Sequence, residues 1–128
     1  MPSFDLERTY LALDGAGSVT PLPVGPDFWK TITGNPAASG TLVTVNTSEG
    51  DWKHWEMHPK GDEVLVLLEG EMQVVFERPK GNETHDMHPG STLVVPAGVW
   101  HRARAQRNAR MLFITFGAGT SHKPIADS

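Results

Sequence analysis

The chain contains no cysteine. That removes disulfide bridges and thiolate ligands and leaves nitrogen and oxygen donors for any metal ion. No apolar run approaches the roughly 20 residues of a membrane-spanning helix, so no membrane partner is expected. Met1 to Tyr10 carries Asp5, Glu7 and Arg8 where a signal peptide would need an apolar core, and a cytoplasmic protein is the default expectation. There is no excess of positive charge: the net charge is −4 at neutral pH, which speaks against nucleic acid as a partner. Internal repeats, a phosphate-binding loop and a Ser-His-Asp order are all missing, and no stretch reads as a helix of about ten residues.

What the chain does have is punctuation. Thirteen glycines and ten prolines in 128 residues mark many tight turns, and Thr, Val and Leu runs lie between them. A chain of this length fits one domain and buries roughly two-thirds of its unfolded surface without covalent staples. Phe4 to Leu13 reads as a short strand or a frayed arm, Pro21 to Pro26 as extended chain, and Phe28 to Ile32 as a strand or one helical turn ended by Gly34-Asn35-Pro36. From there strands are expected over Thr41–Thr47, Trp52–His58, Glu63–Leu68, Glu71–Glu77, Thr84–Met87, Ser91–Val95, Trp100–Ala105 and Arg110–Phe116. Glu69-Gly70 reads as a hairpin turn between the third and fourth of these. Short strands at near-regular spacing argue for a sandwich or barrel. The tail from Thr120 reads as loosely ordered.

Side chains alternate along a strand, so parity assigns faces. His54, Glu56 and His58 share one face, with Trp55 and Met57 on the other. Met72, Val74 and Phe76 point inward. His101 shares a face with Ala103 and Ala105, opposite Arg102 and Arg104, and arginine is rarely buried. His101 therefore points inward beside small residues that leave room for a ligand. Glu56 and His58, two apart on one strand, form a donor pair. Glu63 follows the turn Pro59-Lys60-Gly61-Asp62 and can swing back beside His58, and His101 follows Pro96-Ala97-Gly98. Two imidazoles and two carboxylates suit a divalent transition metal such as Mn, Fe, Ni or Zn, the oxygen donors tilting the choice toward Mn or Fe.

Two spaced motifs carry a resemblance. The first runs Gly50, Glu56, His58, Glu63, Gly70, and the second Gly90, Pro96, Gly98, His101. In these the chain resembles the cupins, specifically small single-domain bacterial members, across roughly Thr41 to Phe116. The resemblance implies an all-β antiparallel double-stranded β-helix, the cupin or jelly-roll barrel. Residues 41–118 would form the barrel, 1–40 an N-terminal arm with edge strands, and 119–128 a flexible tail. The resemblance also implies a metal site of three histidines and one glutamate. Here Glu56 stands at the first histidine position and Ala105 where an asparagine is usual, so only His58, Glu63 and His101 carry over directly. Glu56 is either a fourth ligand or a catalytic base, with a carboxylate raised by burial to accept a proton near neutrality. Asp62 competes with Glu63, which keeps the interval to Gly70.

The functional expectation is a metal-dependent enzyme on a small organic substrate, with dioxygenase, decarboxylase and isomerase chemistry all open. The alternative is a non-catalytic module binding a small molecule or metal, or a metal-free cupin. His54 is second-sphere or surface; His85, His88 and His122 are expected in solvent. Trp52, Trp55 and Trp100 either stack an aromatic substrate or fill a core or interface. The Val64/Val66/Leu68 face is apolar although Leu65 and Leu67 already serve one core. A strand apolar on both faces needs two covers, which points to a homodimer, as the resemblance also implies.

Overall fold

The computed structural model of the chain describes residues 2–32 and 40–126. Its elements are β1 (Thr9–Leu13), β2 (Val19–Pro23), α1 (Phe28–Thr31), β3 (Thr41–Ser48), β4 (His54–Met57), β5 (Glu63–Phe76), β6 (Glu83–Met87), β7 (Thr92–Val95), β8 (His101–Phe116) and β9 (Ser121–Pro124). All strand pairs are antiparallel. This is the all-β cupin barrel expected from the motifs.

Two long strands, β5 and β8, run side by side and serve both walls of the barrel. The first half of β8 pairs with the second half of β5, and β4, β9 and β6 extend that wall. The second half of β8 pairs with the first half of β5, and β3, β1, β2 and β7 extend the other wall. Glu69-Gly70 is therefore not a hairpin turn, and the strands expected on either side of it are one. A glycine signals a turn or a bulge equally well. Here Gly70 has φ +84° and lies so close to the backbone of Arg107 and Asn108 that a Cβ would collide with both. Across from it β8 has its own irregularity, with positive φ at Ala105 (54°) and Asn108 (49°). The two strands bend together, with register shifts between Leu67 and Gln73, and pairing resumes beyond. The same bend defeats parity at Ala105, which is exposed while His101 and Ala103 are buried.

The barrel is filled by Leu65, Leu67, Met72, Val74, Phe76, Met87, Val95, Ala103, Ala109 and Met111. A second cluster, Tyr10, Ala12, Leu22, Phe28 and Ile32, packs under the N-terminal segment. That segment is not a frayed arm. β1 and β2 form a hairpin whose turn is closed by Asp14, which accepts hydrogen bonds from Ala16 N (2.7 Å) and Ser18 N (3.0 Å). Pro21 and Pro23 sit on edge strand β2, where a missing N–H is tolerated. Phe28 to Thr31 takes the helical alternative; the turn expected at Gly34-Asn35-Pro36 lies outside the described residues.

Part of the tail forms a strand. Residues 121–124 form β9 on the free edge of β4. An open edge offers unpaired backbone groups, and Lys123 fastens the addition by donating to Glu77 Oε1 at 2.7 Å and lying over the Trp100 ring at 4.6 Å. Among the described residues no helix is long and apolar enough to cross a membrane.

Candidate metal centre

Strand register places the donors. Glu56 on β4 stands directly opposite His101 at the start of β8. His58 directly follows β4, and its carbonyl accepts from Gly98 N at 2.9 Å, tying it to the turn that precedes His101. Glu63 opens β5 on the facing wall. One donor atom from each of Glu56, His58, Glu63 and His101 lies within 4.8 Å of all the others, so this group can hold a metal ion. Asp62 does not join them. Its Oδ1 accepts from Ala97 N at 2.9 Å and pins the β4–β5 loop to the β7–β8 turn.

The hydrogen bonds around the cluster fix both histidine tautomers. His101 Nδ1 lies 3.0 Å from the Val99 carbonyl, which can only accept, so Nδ1 carries the proton. The Thr120 hydroxyl donates to Gly117 O at 2.7 Å, so its oxygen accepts from His58 Nδ1 at 2.8 Å. Nδ1 is thus engaged in both rings and Nε2 faces inward, the nitrogen that would ligate when unprotonated. His58 Nε2 lies 2.8 Å from Glu56 Oε1 and 3.3 Å from Glu63 Oε2, and His101 Nε2 lies 3.0 Å from Glu63 Oε1. Despite these distances His58 Nε2, Glu63 Oε1 and His101 Nε2 make no aligned hydrogen bond among the described residues, although all three are buried. An unprotonated Nε2 and a carboxylate facing each other across a dry gap repel unless a proton or a metal ion lies between them. Two carboxylates with two neutral imidazoles leave a charge that a divalent ion balances, so the residues present fit such an ion.

The facing groups also shift one another's protonation. Burial opposes a charge on His58, yet the facing Glu56 and Glu63 carboxylates outweigh it and lift its pKa to about 9. Burial likewise opposes a charge on Glu63, but the facing His101 and His58 rings bring its pKa down to about 2. For Glu56, burial and the nearby Glu63 carboxylate push upward, and the His58 and His101 rings together outweigh them, so the net shift is downward. The carboxylate is therefore not raised toward neutrality as burial alone would have it; Glu56 is ionised at neutral pH, the form in which a carboxylate ligates or accepts a proton.

The remaining candidates separate. Trp52 packs against the site, with its ring centroid 6.0 Å from that of His101. Trp55 points to the other face of β4, buried beneath the Arg102 guanidinium at 5.0 Å, and Trp100 lies under Lys123. Arg102 and Arg104 are half-buried, Arg104 donating to Gln73 Oε1 at 3.0 Å. His54 and His88 are exposed, and His85 stacks on Phe76 with ring centroids 4.6 Å apart. Three residues escaped sequence reasoning. Thr115 donates to Glu63 Oε2 at 2.6 Å, Thr120 holds His58, and His122 Nε2 lies 3.1 Å from Glu56 Oε2. Thr115 left a signal, a polar residue at an inward position after Met111 and Phe113. Thr120 and His122 left none, since they fall beyond both motifs.

Residues 41–117 match the family model described as the cupin domain, and the chain belongs to that family. It is 38% identical over 63 residues to the uncharacterized protein YdbB of Bacillus subtilis (strain 168), an alignment covering 49% of this chain and 50% of that protein. The chain thus spans about half the length of the curated relative it matches. Among solved structures, NMB1881 from Neisseria meningitidis is 31% identical with a TM-score of 0.51, covering 59% of this chain and 72% of that one. The Fe(II) form of HppE with an alternative substrate is 22% identical with a TM-score of 0.52, covering 62% of this chain and 44% of that one, a likeness of fold alone.

Proposed function

We propose that this cupin is a metal-dependent enzyme acting on a small organic substrate, with Glu56, His58, Glu63 and His101 holding one divalent transition ion. The observation that carries the reading is the convergence of three buried donor atoms, His58 Nε2, Glu63 Oε1 and His101 Nε2, that make no aligned hydrogen bond among the described residues. When bound, such an ion supplies Lewis-acid charge to a substrate oxygen or a site for O₂. The chain's own residues do the rest. Val99 and Thr120 hold the two imidazoles in the ligating tautomer, and Thr115 fixes Glu63. Glu56, the least buried of the four with 26% of its side chain exposed, marks the side from which a substrate approaches. Trp52 beside His101 offers an aromatic wall there.

A fold neighbour, HppE, holds Fe(II) together with a substrate, so the fold is compatible with an enzyme reading. The test is turnover: metal-loaded protein is assayed for O₂ uptake and product across phenolic, keto-acid and sugar substrates, with and without chelator. Chelator-sensitive turnover supports the reading; stoichiometric metal with no turnover on any class favours a binding module.

A second reading has its own observation. His58, with its pKa lifted to about 9, is an imidazolium at neutral pH when no metal is present, and this proton offsets part of the carboxylate charge. In that reading the barrel is a metal-free module binding a small acid or sugar.

We also infer that a second copy of the chain covers the outer face of the β3-containing wall. Strand register lines up Leu11, Val43, Ile114, Val64 and Val94 in one apolar row, and Val94 remains 52% exposed.

A further inference from the structure

His122 belongs to neither motif and to none of the four donors, yet it is built into the site. Through β4 register Glu56 stands between two histidines, with His101 directly opposite on β8 and His122 directly opposite on β9. The carboxylate divides its oxygens accordingly. Oε1 faces His58 Nε2 at 2.8 Å, inside the cluster, and Oε2 takes a hydrogen bond donated by His122 Nε2–H at 3.1 Å, at the rim.

We propose that His122 is a positioning residue that makes Glu56 a one-oxygen metal ligand, at the motif position where the cupin resemblance places a histidine. An imidazole presents a single donor atom and cannot change its mode. A carboxylate can bind through either oxygen or both, and a partly exposed one can turn out to solvent. Holding Oε2 removes that freedom and leaves Oε1 as the inward donor. His122 is itself 56% exposed, so its placement comes from the backbone rather than from burial. The residues around it supply that placement: Thr120 is bonded to His58, and Lys123 is bonded to Glu77 and lies over Trp100. The C-terminal segment from Thr120 to His122 thus touches two of the four ligands from outside.

This inference rests on the reading that the cluster holds a metal, and the experiment separates the two. Metal-free wild type, His122→Ala, His122→Gln and the Glu56→Gln single and double variants are titrated with Co²⁺. Affinity and the visible ligand-field spectrum are recorded, and thermal unfolding of each metal-free variant checks the fold. The expected result is Kd raised about 10- to 100-fold in His122→Ala, with an altered spectrum. His122→Gln, which keeps a side-chain N–H donor, recovers most of the affinity and the wild-type spectrum. In the Glu56→Gln background His122→Ala has no further effect. Wild-type affinity and spectrum in His122→Ala overturn the inference while leaving the metal reading intact. Equal losses in the Ala and Gln variants, or an undiminished effect without the Glu56 carboxylate, also overturn it. No Co²⁺ binding by wild type overturns the metal reading and this inference with it.

Discussion

Glu63 and Thr115 are register partners across β5 and β8, and the Thr115 hydroxyl donates a 2.6 Å hydrogen bond to Glu63 Oε2. That contact leaves Oε1 as the oxygen facing His101. Replacing Thr115 with Val keeps the shape and removes the donor. We expect metal affinity to fall about tenfold, as for other residues that orient a ligand, and the metal-free protein to lose about 1–2 kcal/mol because a buried carboxylate oxygen goes unpaired. Metal titration and urea unfolding of Thr115→Val read the two effects separately; unchanged affinity would remove Thr115 from the account.

The pKa shifts set a pH window for the metal-free protein. Glu63 falls from an ordinary 4.5 to about 2 in the folded state, so its contribution is complete above about pH 4.5 and is lost as pH drops through 2. His58 rises from 6.5 to about 9, so its contribution is complete below 6.5 and is lost as pH climbs through 9. Urea midpoints in chelator are therefore expected to peak between these limits and to decline toward alkaline pH. Excess metal reverses the alkaline decline, because an ion takes the place of the His58 proton and binds more tightly as that proton leaves. A flat or rising alkaline limb in chelator would contradict the charge assignment of His58.

Gly70 carries the bend shared by the two long strands. Gly70→Ala adds a Cβ at φ +84° against the backbone of Arg107 and Asn108. We expect at least about 2 kcal/mol of destabilisation, more than the strain of the dihedral alone. A wild-type urea midpoint for Gly70→Ala would mean that the strands bend elsewhere.

Light scattering coupled to size exclusion tests the apolar row on the outer face. Wild type is expected to elute at twice the chain mass, and Ile114→Asp, which sets a charge among Val43 and Val64, at the chain mass with the fold retained. A wild-type monomer at micromolar concentration would contradict the inferred dimer.

Much of this was legible in the sequence, and the limits have physical causes. The spacing Gly50–Glu56–His58–Glu63–Gly70 followed by Gly90–Pro96–Gly98–His101 is enough to specify the barrel and to nominate its four donors. Parity placed His101 inward correctly because β8 is regular there, and failed at Ala105, where φ turns positive. Gly70 was read as a turn because a bulge and a turn use glycine for the same reason, its freedom at positive φ. The state of Glu56 could not come from burial, which pushes a carboxylate up. It depends on how close His58 Nε2 comes, a distance no sequence pattern encodes. β9 was missed because a four-residue strand of mixed polarity carries no periodic signal, and with it went the contact from His122 to Glu56.

The central claim, that the four donors hold a metal ion, is tested most directly by elemental analysis of untagged protein, as purified and after exposure to Mn²⁺, Fe²⁺, Ni²⁺ and Zn²⁺ followed by removal of excess ion, with His101→Ala alongside. The account predicts close to one equivalent of at least one of these ions per wild-type chain, lost in His101→Ala. Less than about a tenth of an equivalent in wild type under every condition, or full metal in His101→Ala, would contradict it.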